Sequence, residues 1–173
     1  RIRLNAAILT RIESGLAAAA IDGIIVSDYA KGSVNAEVMA LLKERAGAGG
    51  LPVIVDPKPP HFELYRGVTG VTPNLKEAEE MARIVISREE KNDTYLDTYA
   101  WVLYKRGKTR EAARIMERII GSGENEDAEF YEHYGFILKK MKKCRDAVIY
   151  FEKALELDKT KSNLVKVIES CKR

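Results

Sequence analysis

The chain has 173 residues, 46% of them apolar, with five prolines and a net charge of +3, the make-up of an ordinary globular protein with room for one or two small domains. The charge surplus lies wholly in residues 84–173 and is spread over mixed-sign helix faces, which argues against a nucleic-acid partner. No apolar run reaches the ~18 residues of a membrane span, and Arg1-Ile2-Arg3-Leu4 leads into no signal-peptide core, so no membrane association is expected and the expected location is cytoplasmic.

Ala6 to Ala20 is Ala-rich, with Ile8, Leu9, Ile12 and Leu16 at helical spacing, and predicts an amphipathic helix. Ile21 to Val26 is a continuous apolar run ending in Ser27-Asp28-Tyr29, the pattern of a strand buried on both faces. Asn35 can cap a helix carrying Val38, Met39, Leu41 and Leu42 that ends near Gly47. Leu51 to Asp56 reads as a second buried strand, Gly67 to Thr72 as a third, and Asn74 opens a helix that reaches about residue 88. Strand and helix alternating in this way predict a three-stranded parallel, Rossmann-like βαβ piece with right-handed crossovers.

Ligands of such sheets bind beyond the carboxyl ends of the strands. The polar residues there are Ser27, Asp28 and Lys31, then Asp56 and Lys58, then Asn74 and Glu77. Lysines for phosphate and carboxylates for the water shell of Mg²⁺ would suit a nucleotide. Each position also has a plain structural reading. Asn74-x-x-Glu77 is a helix capping box, Asp28 and Asp56 can cap loops, and Lys31 and Lys58 can simply be solvated.

The ordered series Ser27-Asp28-Tyr29-Ala30-Lys31-Gly32, Val55-Asp56-Pro57-Lys58, Phe62 with Tyr65-Arg66-Gly67, and Thr72-Pro73-Asn74-Leu75-Lys76-Glu77 resembles the central part of a ribokinase-like (PfkB-family) carbohydrate kinase. The likeness is strongest to the heptose-7-phosphate kinase branch, which serves ADP-heptose biosynthesis. The resemblance covers residues ~5–83 of an α/β segment read as 1–83, and implies that Asn74 and Glu77 are the family's N-x-x-E element, which organises Mg²⁺ and the ATP phosphates without direct protein ligation of the metal. It implies that Lys31, Lys58, Asp28 and Asp56 belong to a phosphate and sugar site. The family's Gly-Ala-Gly-Asp motif, which supplies the catalytic base, does not occur in the 173 residues. Gly47-Ala48-Gly49 is followed by Gly50 and trails a helix, so it reads as a C-cap. No catalytic residue is therefore assigned, no cofactor is expected, and Mg²⁺ with ATP would be required only if kinase function survives.

Downstream, aligning Asp93 with Ala128 pairs Tyr99-Ala100 with Tyr134-Gly135, Leu103 with Leu138, Ala112 with Ala147, Met116 with Phe151 and Ile119 with Ala154. Small residues recur where two antiparallel helices must approach closely, with larger ones around them. Residues 77–173 thus resemble tetratricopeptide repeats, spanning about 93–126 and 128–161, with a capping helix at about 162–172 whose stripe is Leu164, Ile168 and Cys171. The helix over 74–88 is expected to serve both halves, since Ala78, Ala82 and Val85 already follow the repeat register. The resemblance implies a concave face formed by Thr94, Asp97, Trp101, Tyr104 and Lys105, then Glu129, Glu132, Phe136, Lys139 and Lys140. Of these, Trp101, Tyr104 and Phe136 would take apolar side chains of a partner protein or peptide and Lys105, Lys139 and Lys140 its carboxylates. The aromatics could equally pack between repeats.

His133 has no evident partner and is expected on an exposed helix position. Cys144 and Cys171, 27 residues apart with neither a CxxC nor a paired His, read as free thiols rather than a metal centre or disulfide framework. The chain opens without Met and reads as a fragment or a fusion of two signatures. The sequence therefore predicts α/β followed by all-α, and an interaction module carrying a catalytically incomplete sugar-kinase piece. The alternative is a carbohydrate kinase whose remaining parts lie elsewhere. A three-stranded sheet also leaves two edges open to self-association.

Overall fold

The computed structural model describes residues 6–18, 20–123 and 126–172. The chain divides into two compact units, Arg1–Glu77 and Ala78–Arg173. It begins as α/β and continues as helices.

The first unit runs α1 (Ala6–Ala18), β1 (Ile24–Ser27), α2 (Ala36–Gly49), β2 (Val53–Asp56), a 3₁₀ segment (Pro59–Tyr65) and β3 (Gly70–Val71), and closes in the first turn of α3 (Leu75–Ile86). Asn35 caps α2 by accepting the Val38 N–H at 2.9 Å. The helix continues past Gly47 to Gly49, where Gly50 turns the chain at φ 64°. The three strands are parallel in the order β1-β2-β3, with Ile24 opposite Val53 and Ile54 opposite Gly70. β3 is only two residues long, against the six expected. Thr69 and Thr72 N–H groups nevertheless extend the pairing on either side, donating at 2.9 Å to the Val53 and Val55 carbonyls.

Ile24, Val26, Val53 and Val55 are buried on one face against Val38, Met39, Leu42 and Ala46 of α2, and Leu9, Ile12 and Leu16 of α1 join the same cluster. Burying one such side chain contributes about 1.5–3 kcal/mol, so this face is a substantial source of the unit's stability. The opposite face departs from expectation. Ile25 is 81% exposed and Val71 is partly exposed, so β1 is covered on one side only. A continuous apolar run cannot distinguish a strand buried twice from one with an apolar residue facing water, because both have the same sequence pattern.

The second unit takes up the rest of α3 and adds α4 (Asp93–Lys105), α5 (Thr109–Ser122), α6 (Ala128–Lys140), α7 (Cys144–Leu157) and α8 (Asn163–Lys172). Helices of 13 and 14 residues recur as α4/α5 and α6/α7, with both starts offset by 35 positions. Asn92 and Asp127 cap the first helix of each pair through their side chains. The turns also correspond: Gly107 and Lys142 both take left-handed backbone, at φ 81° and 62°. The core is built from the paired positions. Ala100, Leu103, Ala112, Met116 and Ile119 are buried, as are Leu138, Ala147, Phe151 and Ala154. At Gly135 an added Cβ would lie 2.5 Å from a Phe151 ring carbon, so α6 and α7 touch there through a missing side chain.

Ala82 and Ile86 of α3 pack on this core, as do Leu164, Ile168 and Cys171 of α8. Glu79 is buried and is held by Lys108 at 2.7 Å, Arg83 at 3.0 Å and Arg106 at 3.1 Å. That cluster fixes α3 to the α4–α5 turn.

Candidate functional site

The sheet sends its three carboxyl ends to one side, and a continuous polar network joins them. Asp28, the residue after β1, is 1% exposed. Its Oδ1 accepts the Ala30 N–H at 2.7 Å, and its Oδ2 accepts the Tyr65 hydroxyl at 2.6 Å and meets His61 Nδ1 at 2.6 Å. Tyr65 ends the 3₁₀ segment, and its oxygen accepts the Lys58 N–H at 2.9 Å. The Lys58 ammonium, just beyond β2, is ion-paired with Glu77 Oε1. The other Glu77 oxygen accepts the Asn74 N–H at 3.0 Å, and Asn74 Oδ1 accepts the Glu77 N–H at 3.0 Å. The capping box is therefore formed, and the same carboxylate is also tied to the lysine.

Electrostatics follow from these contacts. The Lys58 hydrogen bond is the main cause that holds the Glu77 carboxyl below its ordinary value, with the Asn74 N–H adding to it against the effect of burial. Glu77 in turn raises Lys58. Burial alone would raise Asp28, but the Tyr65 hydroxyl, the Ala30 N–H and His61 together hold it below the usual carboxylate range. Burial, then the bond to Asp28, pushes the Tyr65 phenol well above its ordinary value. The network is thus a set of ionised carboxylates and neutral or cationic donors.

Among the expected residues, Lys58, Asn74 and Glu77 are joined directly, and Asp28 reaches Lys58 through the Tyr65 hydroxyl. Asp56 lies half-buried at the end of β2, where its carbonyl accepts the Asp28 N–H at 3.0 Å. Lys31 is exposed and lines a cavity of about 320 Å³ with Ser27, Asp28, Tyr29, Ser33 and Val34. The plain capping reading of Asn74 and Glu77 is realised, and capping uses one Glu77 carboxylate oxygen while the other pairs with Lys58. His61 and Tyr65 escaped the sequence reading as site members. They lie four apart on a 3₁₀ segment opened by two prolines, where no periodic pattern announces a shared face.

On the helical unit Trp101 and Tyr104 stack with ring centres 4.8 Å apart, Lys105 lies over the indole at 4.9 Å, and Phe136 is tilted at 6.2 Å. These aromatics are half-buried and pack on one another and on the core, with Phe136 edge-on to Phe151 at 5.0 Å. His133 is not exposed. It is 9% accessible, stacked on Trp101 at 4.0 Å, with Nδ1 2.9 Å from the buried Asp97 carboxylate. An acidic residue one hairpin earlier supplied the partner that the linear sequence does not show. Asp97 is therefore internal, and Glu132 is paired with Lys161 at 2.5 Å. Lys139 donates to Ser170 Oγ at 2.7 Å. Thr94, Glu129 and Lys140 are exposed.

Among the described residues no group of three or more His, Cys, Asp or Glu could hold a metal ion, and no helix is long and apolar enough to cross a membrane.

By fold and site the first unit is a parallel α/β unit with charged groups gathered beyond its strand ends, where ligands of such sheets bind. The chain is similar to curated proteins named Bifunctional protein HldE. It is 49% identical over 69 residues to that of Aeromonas hydrophila subsp. hydrophila, covering 40% of this chain and 14% of the relative. For Caulobacter vibrioides the figures are 46% over 81 residues, 47% of this chain and 16% of the relative. For Vibrio cholerae serotype O1 they are 42% over 83 residues, 48% and 17%. The chain thus spans about one sixth of the length of the curated relatives it matches. No family model matches it.

Proposed function

We propose that the α/β unit is a segment of a heptose-phosphate-type carbohydrate kinase. The observation that carries this reading is the network from Asp28 through Tyr65, Lys58 and Glu77 to Asn74, which gathers three strand ends into one charged site. The partial similarity to Bifunctional protein HldE supports it. Bound MgATP would supply the transferable phosphoryl group and neutralise its charge. Asn74 and Glu77 fit a hydrated Mg²⁺ held through its waters, since each Glu77 oxygen keeps one lone pair beyond its present partner. Lys58 would be released from Glu77 toward a phosphate oxygen, and Lys31 would meet phosphate or sugar at the adjoining cavity. Phosphoryl transfer would need the Gly-Ala-Gly-Asp part, which these 173 residues do not contain. Calorimetry of the full chain tests the reading: MgATP or heptose 7-phosphate should bind, and Asn74→Ala or Lys31→Ala should weaken it. Absence of heat with either ligand removes the proposal. This chain alone is expected to show no turnover, and turnover abolished by Glu77→Gln would overturn that expectation.

A second reading applies to the helical unit, which we infer to be a short tetratricopeptide array that binds a protein or peptide. The recurrence of hairpins built from a 13- and a 14-residue helix, with small residues at paired contacts, supports it. Lys105 and Lys140 are the exposed cations on the inferred face, beside the Trp101, Tyr104 and Phe136 cluster, so an acidic partner with an apolar anchor is favoured. Trp101 fluorescence during titration with acidic peptides measures this. No change at high peptide concentration, with Lys105→Glu and Lys140→Glu equally silent, removes it. The open sheet edges are a further proposed route to self-association, which solution mass decides.

A further inference from the structure

The two cysteines, read from the sequence as unrelated free thiols, are brought together by the helical unit. Cys144 is the first residue of α7 and Cys171 lies in the last turn of α8. Lys139 near the end of α6 donates to Ser170 at 2.7 Å, which seats the last turn of α8 beside the α6–α7 turn. Leu164 and Ile168 bury the α8 stripe on the same core and fix its rotation. The last turn of α8, which carries Cys171, is thereby set beside the start of α7, which carries Cys144, with Lys139 and Ser170 close by. Both residues are half-buried, so they are accessible to a small oxidant.

We propose that Cys144 and Cys171 form a reversible disulfide that latches α8 onto α7 when the chain meets a peroxide. The Cys144 sulfur attacks a peroxide oxygen, the O–O bond breaks, and a sulfenic acid and water form from hydrogen peroxide. The Cys171 sulfur then attacks the sulfenic sulfur, the S–O bond breaks, and its proton leaves with the hydroxide as a second water. Two thiols lose two electrons and two protons, and one peroxide is reduced to two waters. Burial first, then contact with Cys144, raises the Cys171 thiol. The latch would hold Ser170 against Lys139, and so would restrain one lysine of the inferred binding face.

The test uses the whole chain with stoichiometric hydrogen peroxide. The expected result is loss of about 2 Da in intact mass, loss of both titratable thiols, and their return with dithiothreitol. Peptide mapping should join Cys144 to Cys171, and trypsin cleavage at Lys166 should slow several-fold. Cys144→Ala should abolish the mass loss, whereas Cys171→Ala should leave a trappable sulfenic acid at Cys144. Disulfides formed only between chains, oxidation to sulfinic acid without a bridge, or unchanged cleavage at Lys166 despite a bridge would overturn it.

Discussion

Replacing Gly135 by Ala sets two effects of opposite sign against each other. Alanine is favoured over glycine inside a helix by about 1 kcal/mol. The new Cβ would sit 2.5 Å and 2.6 Å from two ring carbons of Phe151, well inside the ~3.5–4.0 Å of carbon contact. Phe151 is fully buried and stands edge-on to Phe136 at 5.0 Å, so the ring can yield only by disturbing a second aromatic. Overpacking costs about 1–3 kcal/mol, and a misfit of about 1 Å belongs at the upper end. The net expectation is a loss of about 1–2 kcal/mol, or roughly 5–15 °C in Tm for a unit of this size. Urea unfolding followed by helix signal and Trp101 fluorescence reads it. Phe151→Leu should be destabilising alone yet should absorb most of the Gly135→Ala penalty in the double variant. At the equivalent position of the first hairpin, Ala100→Gly should cost about 1 kcal/mol. If Gly135→Ala were as stable as the parent, the close approach of α6 and α7 would be wrong.

Lys142 holds left-handed backbone at φ 62° where the equivalent Gly107 has no Cβ, so Lys142→Gly should stabilise by about 0.5–1 kcal/mol in the same urea assay. Glu79→Gln should cost about 1–3 kcal/mol, because a carboxylate hydrogen-bonded by Lys108 and Arg83 and ion-paired with Arg106 is replaced by a neutral amide; chemical denaturation at high and low salt measures it. Glu77 has a lowered folded value, so its contribution is present above the ordinary value of 4.5 and is lost as pH falls through the folded one. Urea midpoints between neutral and acid pH should therefore fall less steeply in Glu77→Gln, and a parallel fall would remove the linkage. His133→Ala should release Trp101 from stacking and shift its fluorescence, whereas an unchanged spectrum would mean that the stack does not persist in solution.

Much of the fold was legible because backbone and patterning carry it. Asn35 and Asn74 mark helix starts, and the 35-residue offset by itself assigns Ala100, Leu103, Ala112, Ala147 and Phe151 to the core, where they are buried. The spacing works because helices repeat every 3.6 residues and antiparallel pairs need small residues at the crossing. Strand-end residues could likewise be named in order, since a parallel sheet must send its carboxyl ends to one side.

Only the tertiary structure decided which of those residues touch. Nothing local shows that Glu77 reaches Lys58, that Tyr65 and His61 converge on Asp28, or that His133 finds Asp97. The exposure of Ile25 was equally invisible, because an apolar run is the same whether or not a second layer covers it. Periodicity belongs to the single segment and is written in its sequence. Pairing between side chains far apart in sequence depends on how segments dock, and that is set by the packing of the whole unit.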